Sequence, residues 1–196
     1  PRDYGRETDL TPLEAEVSCE MEVSMPTFLL GFKCPPMSGG QEQMRRTLMG
    51  ELACDVLLGD SSPLYARLYS QGLINGTFGY SFDTLPGVAY AYIGGDSKDP
   101  HAVAEEVLQE ARRLVKDGID PDYYARIVRA NYGSTLKSLN SFESIAISLV
   151  EGQFDGYDPL LFPEMFDSIT PQDLLTFIRE NLCREHMALS VVYPKE

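Results

Sequence analysis

The stretch Ser61–Ile93 decides how the rest of the chain is arranged. It reads SSPLYARLYSQGLINGTFGYSF over residues 61–82 and, after a Leu-Pro-Gly turn, VAYAYI over residues 88–93. Ser62 followed by Pro63 is typical of a helix start, and Gly72 is typical of a helix end. The alternation of apolar and small residues after Gly72 predicts two neighbouring strands. We therefore expect a short helix and a strand pair here, and any functional surface close to them.

Before this stretch, the sequence predicts an arm, two strands and a long helix. Residues 1–13 are charged and lack apolar periodicity, which predicts a linker or N-terminal arm, whereas residues 14–196 are expected to form one domain. Residues 15–23 alternate apolar residues with Glu and Ser, which predicts a strand with one buried face in an antiparallel sheet. The apolar run Phe28–Phe32 is more typical of a central strand. Apolar side chains at helical spacing predict a helix over residues 39–58.

After the stretch, the pattern changes to helices followed by one strand. The predicted helices begin at Asp99, Asp120, Ser141, Leu160 and Thr170, and the strand covers Met187–Tyr193. Strands and helices do not alternate strictly, which argues against a doubly wound parallel sheet. The order predicts an α+β fold in which helices pack on one face of an antiparallel sheet.

Composition excludes several classes of function. The chain has 196 residues, with 16 Lys and Arg against 30 Asp and Glu, and a net charge of −14. Such a charge repels phosphate backbones and anionic membranes, so we expect no nucleic-acid or membrane partner. Its apolar runs are far shorter than a membrane span, and we expect no signal peptide. Four widely separated cysteines predict free thiols and a cytoplasmic location.

The residues reveal no catalytic constellation. Glu185-His186 is similar to the end of a His-x-x-Glu-His zinc motif, but Leu182 stands where the first histidine belongs. The only other histidine is His101, and a catalytic zinc usually takes three protein ligands, so we expect no metal site in this chain. Serine-nucleophile, Walker and dinucleotide motifs are absent as well. The residues alone predict an α+β domain that binds something or supports an enzyme.

A group of tyrosines in the opening stretch is the other candidate feature. Its members are Tyr65, Tyr69, Tyr80, Tyr90 and Tyr92. Aromatic side chains of this kind could line a peptide groove, or they could be ordinary packing on a sheet. Both interpretations remain open at this point.

Several short motifs, taken in order, resemble the pitrilysin/insulinase family of zinc peptidases. The motifs are Phe28–Lys33, the helix end Leu52–Gly59, Ser62–Tyr65, Gln71–Leu73 and the strand Ala188–Val192. Over Ala15–Pro194 the chain is most similar to the second, inactive domain of the bacterial members. This resemblance implies the fold shared by LuxS and mitochondrial processing peptidase, an antiparallel sheet packed by helices.

The resemblance also implies a function. In this family a zinc-bearing domain is followed by a structurally similar domain, and two such halves, joined or as separate subunits, enclose a peptide substrate. This chain would then be a non-catalytic domain that forms part of the chamber. Zinc would be held by an upstream domain of the same polypeptide, and a second peptidase-like subunit is a possible partner. The alternative is a structural, assembly or ligand-binding α+β domain without peptidase activity.

The family holds its substrate with an Arg and a Tyr in an Arg-x-x-x-Gly-Leu-x-Tyr pattern. When Gly72 is the anchor, Leu68 and Asn75 stand at these two positions. Candidate substrate contacts, by resemblance and position, are Arg67, Leu68, Asn75 and Tyr80, and no catalytic residue is expected in this chain. A partner subunit would supply the Arg and the Tyr.

Overall fold

The strands of the computed structural model, which describes residues 8–37, 39–85 and 87–195, form one five-stranded sheet. They are β1 (Glu16–Met21), β2 (Thr27–Cys34), β3 (Gly79–Leu85), β4 (Val88–Asp96) and β5 (Met187–Pro194). Their order across the sheet is β1-β5-β2-β4-β3, which places β2 in the centre as its apolar run predicts. β2 pairs antiparallel with β4 and β5, and β3 pairs antiparallel with β4, whereas β1 pairs parallel with β5.

Five of the seven described helices begin after a residue whose side chain caps the first turn, and four of these five have a proline at the first helical position. The seven helices are α1 (Gly40–Leu58), α2 (Pro63–Ser70), α3 (Pro100–Asp117), α4 (Pro121–Ser138), α5 (Phe142–Asp155), α6 (Phe162–Ser168) and α7 (Pro171–Asn181). Ser62 Oγ accepts a hydrogen bond from the Tyr65 amide at 3.0 Å, which caps α2, and Gly72 follows this helix with a positive φ of 65°. None of the helices within the described ranges is long and apolar enough to cross a membrane.

The hydrophobic core lies between the helices and one face of the sheet. Phe28, Leu30 and Phe32 of β2 are at most 3% exposed, and they pack with Leu52 of α1 and Leu174 of α7. Alternate residues of a strand point to opposite faces, so the residues between them lie on the other face. The predicted α+β fold, with helices packed on one face of the sheet, is confirmed.

The predicted burial of the first strand is wrong. All six residues of β1 are exposed, including Val17 at 50% and Met21 at 54%. β1 lies at the edge of the sheet, where His101 of α3 contacts Glu16, at 3.4 Å between Nε2 and Oε1. The parallel pairing of β1 with β5 also departs from the wholly antiparallel sheet that the alternation predicts.

The first strand of the opening stretch begins later than predicted. Asn75 Oδ1 accepts hydrogen bonds from the Thr77 amide at 2.8 Å and from Thr77 Oγ1 at 2.7 Å. The Phe78 amide also donates to the carbonyl of Asn75, at 3.2 Å. These bonds form a turn that competes with strand geometry, so β3 starts at Gly79 rather than near Ile74.

Candidate functional site

The second face of the sheet, which we call the open face, is the candidate site. It consists of residues of the central strands that alternate with the buried ones: Leu29, Gly31 and Lys33 of β2, Tyr90 and Tyr92 of β4, and Ala188 of β5. Leu29 is 50% exposed, whereas its neighbours Phe28 and Leu30 are buried. The described helices thus leave an apolar part of this face open to solvent.

A groove of about 530 Å³ runs over the open face. Its lining combines apolar, aromatic and charged side chains: Pro12, Leu13, Leu29, Gly31, Phe32, Lys33, Asp83, Tyr90, Tyr92, His186 and Ala188. Gly31 lies directly between Tyr92 and Ala188 in the register, and a Cβ atom added there would meet nothing within 4 Å. A backbone or side chain of a ligand could therefore approach the sheet closely at this point.

Two tyrosines dominate the groove. The rings of Tyr90 and Tyr92 lie 6.0 Å apart between centroids and are inclined by 37°. In the register Tyr90 stands between Lys33 and Asp83, so charges of opposite sign flank an aromatic surface. Aromatic rings with polar groups beside them are a common arrangement for contacting extended peptides.

The segment before β1 closes one side of the groove. Lys33 Nζ donates hydrogen bonds to the carbonyls of Asp9 at 2.7 Å and Thr11 at 3.3 Å. These bonds hold the segment against the sheet, while the side chain of Leu13 remains 98% exposed beside the groove. Residues 1–7 of the predicted arm lie outside the described residues, and the predicted division into an arm and one domain stays a prediction.

The candidate residues of α2 face the helical layer. Arg67 donates to Glu106 Oε2 at 3.0 Å and to Glu110 Oε2 at 3.1 Å, both on α3. Glu110 also accepts two hydrogen bonds from Arg113, at 3.1 and 2.5 Å. Burial alone would raise the pKa of Glu110, but the bonds from Arg113 and Arg67 outweigh it and hold the pKa below its usual value. The neighbouring side chain of Leu68 has no exposed surface and belongs to the core.

The other two candidate residues hold local structure. Asn75 forms the turn before β3, and its amide nitrogen lies 3.8 Å from the Met25 sulfur. Tyr80 points to the helical side of β3, where its hydroxyl donates to Asp55 Oδ1 at 2.9 Å. The pKa of Tyr80 is raised, mainly by burial and to a smaller extent by the negative charge of Asp55. The structure therefore places the four candidates in separate surroundings rather than on one surface, and substrate contact by them stays a prediction.

Asp55 is the centre of a polar cluster between α1, α4 and β3. Asn131 Nδ2 donates to Asp55 Oδ2 at 2.6 Å, so both carboxylate oxygens are hydrogen-bonded. Glu51 lies one helical turn away and is exposed to solvent. The pKa of Glu51 is raised to about 7. Partial desolvation by the surrounding protein atoms is the largest cause, and the negative charges of Asp55 and Asp83 add to it. The cluster anchors α4 on α1 and collects negative charge at one end of the helical layer.

The five tyrosines of the opening stretch do not form one groove. Tyr65 and Tyr69 stack on α2 at 5.9 Å, Tyr80 faces α1, and only Tyr90 and Tyr92 lie on the open face. The two interpretations of the tyrosines therefore apply to different members: Tyr65 and Tyr80 pack against the core, Tyr69 is exposed on α2, and Tyr90 and Tyr92 line a groove. The sequence patterns did not identify the β2 and β5 residues of the open face. The alternation of Phe28, Leu30 and Phe32 with the residues between them could have indicated that β2 has two different faces.

Within the described residues, no group of three or more His, Cys, Asp or Glu side chains could hold a metal ion. His101 lies beside Glu16 and Tyr193 at the edge of the sheet, and His186 lines the groove of the open face. All four cysteines carry free thiols. These features define a helix-on-sheet domain with a groove on its open face and, in that part of the chain, no metal centre.

The chain belongs to the family of peptidase M16 inactive domains, because the model of that family matches residues 1–131. It is 31% identical over 188 residues to the uncharacterized zinc protease YmfH of Bacillus subtilis (strain 168), a match that covers 92% of this chain. The resemblance to insulinase-type zinc peptidases and the inactive character of the domain are thereby confirmed.

Solved structures confirm the fold. A proposed M16-like peptidase from Alicyclobacillus acidocaldarius superposes with a TM-score of 0.88 over 95% of this chain, at 21% identity. The inactive peptidase domain of a proposed zinc protease from Bordetella parapertussis superposes with a TM-score of 0.73 over 91% of this chain and 95% of its own, at 15% identity. The chain spans 42% of YmfH and 45% of the Alicyclobacillus protein, less than half of either.

Proposed function

We propose that this chain is the non-catalytic domain of a zinc-dependent peptidase and that its open face forms part of the wall of a chamber that encloses peptides. The observation that carries the proposal is the contrast between the two faces of one sheet. The face with Phe28 and Leu30 is packed by helices, whereas the face with Leu29, Tyr90 and Tyr92 is left uncovered. An uncovered apolar groove of this kind is typical of a binding surface.

The catalytic parts would come from outside this chain. Zinc would be held by an upstream domain of the same polypeptide, in keeping with the description of YmfH as a zinc protease. A second peptidase-like subunit would complete the chamber and supply the Arg and Tyr that Leu68 and Asn75 replace. Of the candidate contacts, Arg67, Asn75 and Tyr80 retain some exposed surface, whereas Leu68 would act only through packing.

Peptide-cleavage kinetics of the full-length protein test the chamber role. We expect Tyr92→Ser to raise KM roughly fivefold with little change in kcat, because an aromatic contact is worth about 1 kcal/mol. Tyr69→Ser is the matched control, since Tyr69 is 57% exposed but lies on α2, away from the open face. Equal effects of the two substitutions on kcat/KM would contradict the proposal.

Metal analysis separates the peptidase from the alternative of a structural or assembly protein. We expect zinc in the full-length protein together with peptide cleavage, and neither in this chain by itself. Full-length protein that binds no zinc and cleaves no peptide would favour the structural alternative. Zinc-dependent cleavage by this chain by itself would overturn the non-catalytic assignment.

A further inference from the structure

Helix α5 is apolar but almost unburied. Of its 14 residues only Gly152 is buried, while Phe142 is 92% exposed, Phe154 is 85% exposed and Val150 is 53% exposed. Single exposed apolar residues are ordinary on protein surfaces, but a contiguous group of large ones marks an interaction site. This helix is therefore exposed in a way that the domain by itself does not explain.

The apolar residues of α5 cover more of the helix than packing within this domain uses. At about 100° per residue, they spread over roughly 200° of the helix surface. Ile145 and Leu149 line a groove of about 500 Å³ that also contains Met44 of α1 and Phe162 of α6. The remaining stripe, with Ile147, Val150 and Phe154, faces away from that groove. One stripe thus borders the domain, and a second is available to something else.

Another exposed apolar residue precedes α5 in the chain. Leu136 near the end of α4 is 46% exposed, and it does not line that groove either. We call the residues Leu136, Phe142, Ile147, Val150 and Phe154 the α5 face. Large exposed apolar side chains grouped on two consecutive helices are typical of a docking surface.

The segment of the chain that carries the α5 face is acidic. Glu143, Glu151 and Asp155 belong to α5 itself, and Asp158 and Glu164 follow it, against one lysine, Lys137, at the end of α4. A second copy of this chain, with a net charge of −14, would bring the same carboxylates together. The charge therefore disfavours self-association through this face and favours a partner whose apolar surface has basic residues at its rim.

We infer that the α5 face is the docking surface for the companion domain of the same polypeptide, an apolar surface rimmed by basic side chains. The relatives leave room for such a domain, because this chain matches only 42% of YmfH and 45% of the Alicyclobacillus protein. The inference rests on the proposed function for the existence of a companion domain. It goes further in naming the face that the companion covers and its chemistry.

Oxidative footprinting of the full-length protein tests this inference with an internal control. Phe142 and Phe154 are more exposed in this domain than Tyr69, at 92% and 85% against 57%. After normalisation to rates in denaturant, we expect the two phenylalanines to be modified severalfold more slowly than Tyr69, independently of protein concentration. Modification at rates equal to or above that of Tyr69 would overturn the inference. Protection that appears only at high concentration would assign the face to a second copy instead.

A charge placed on the helix provides the second measurement. In full-length protein nicked by a protease between its two halves, we expect the halves to co-elute for wild type and for Tyr69→Glu, but to separate for Val150→Glu. Co-elution of the Val150→Glu halves would count against the inference. Zinc content and peptide cleavage are measured separately from protection of the α5 face. If the full-length protein binds no zinc and cleaves no peptide but its α5 face is protected, the proposed function is overturned and the docking surface stands.

Discussion

Gly50 of α1 lies against the ring of Phe82 of β3 so closely that a Cβ atom on Gly50 would be 2.4 Å from Phe82 Cδ1. Phe82 is 4% exposed, and its ring packs edge-on against Phe177 of α7 at 5.3 Å between centroids. The ring is therefore held from both sides and has little room to move. Glycine at this position sets how closely the longest helix approaches the sheet.

Gly50→Ala is expected to destabilise the domain by about 1–3 kcal/mol, because the added methyl group overpacks a buried aromatic contact. Gly133→Ala is the matched control: Gly133 is also inside a helix, but a Cβ atom there meets nothing within 4 Å. That control should gain up to about 1 kcal/mol from helix propensity. Chemical denaturation measures the free energy of unfolding of both variants. Equal values would show that the Phe82 ring moves aside at little energetic cost.

Glu110→Gln is expected to lower the free energy of unfolding by about 2 kcal/mol, since it removes the buried charge that Arg67 and Arg113 share. Glu106→Gln should cost less than about 1 kcal/mol, because Glu106 is 27% exposed and holds Arg67 through one contact. Urea unfolding at pH 7 distinguishes the two variants. A smaller loss for Glu110→Gln than for Glu106→Gln would contradict the assignment of Glu110 as the centre of the network.

The same carboxylate predicts part of the acid sensitivity of the domain. Because the pKa of Glu110 is lower in the folded chain than its unfolded value of 4.5, its stabilisation is complete above that value and is lost as the pH falls through the folded pKa. We expect the wild type to lose stability below about pH 4.5 more steeply than Glu110→Gln. Thermal unfolding between pH 3 and pH 6 measures this, and parallel profiles would contradict the lowered pKa.

For Glu51 we expect stability to depend on pH with the opposite sign. Its pKa of about 7 in the folded chain exceeds the unfolded value of 4.5, so the folded state binds more protons between these values. Stability should therefore fall as the pH rises from 5 to 8, and Glu51→Gln should remove that fall. Because Glu51 is exposed to solvent, the effect should stay below about 1 kcal/mol. Unfolding curves at pH 5 and pH 8 would refute this if wild type and variant changed equally.

Tyr80→Phe separates a structural role from substrate contact at one candidate residue. Loss of the hydroxyl removes the hydrogen bond to Asp55, which should lower stability by about 1 kcal/mol. Denaturation of the variant gives this value, and cleavage kinetics of the full-length protein provide the second readout. A raised KM with unchanged stability would instead assign Tyr80 to the substrate.

Helix positions could be predicted because their signals are local. Ser62-Pro63 and Thr170-Pro171 combine a capping oxygen with a proline at the first helical position, and both helices start there. The start of β3 was harder to predict from the sequence, because Asn75 forms hydrogen bonds with its own neighbours. The exposure of β1 could not be read from its alternation, since the strand order that places β1 at the edge depends on contacts distant in sequence.

The candidate site was predicted in part. The opening stretch contains Tyr90 and Tyr92, and both line the open face. Leu29 and Gly31 join them only because β2 pairs with β4, a register that composition does not reveal. Resemblance to the family identified the kind of domain, but alignment on Gly72 selected Leu68, whose side chain lies in the core. A motif fixes a position along the chain, whereas packing decides which surface that position faces.

The central claim, that the open face lines a peptide-enclosing chamber, is tested most directly by photo-crosslinking. A peptide substrate that carries a photoreactive side chain is bound to the full-length protein, with zinc removed to prevent cleavage, and the crosslinked residues are mapped by mass spectrometry. We expect crosslinks at Leu29, Tyr90 and Tyr92, competed by unlabelled peptide. Crosslinks confined to other surfaces, with none on β2 or β4, would contradict the claim.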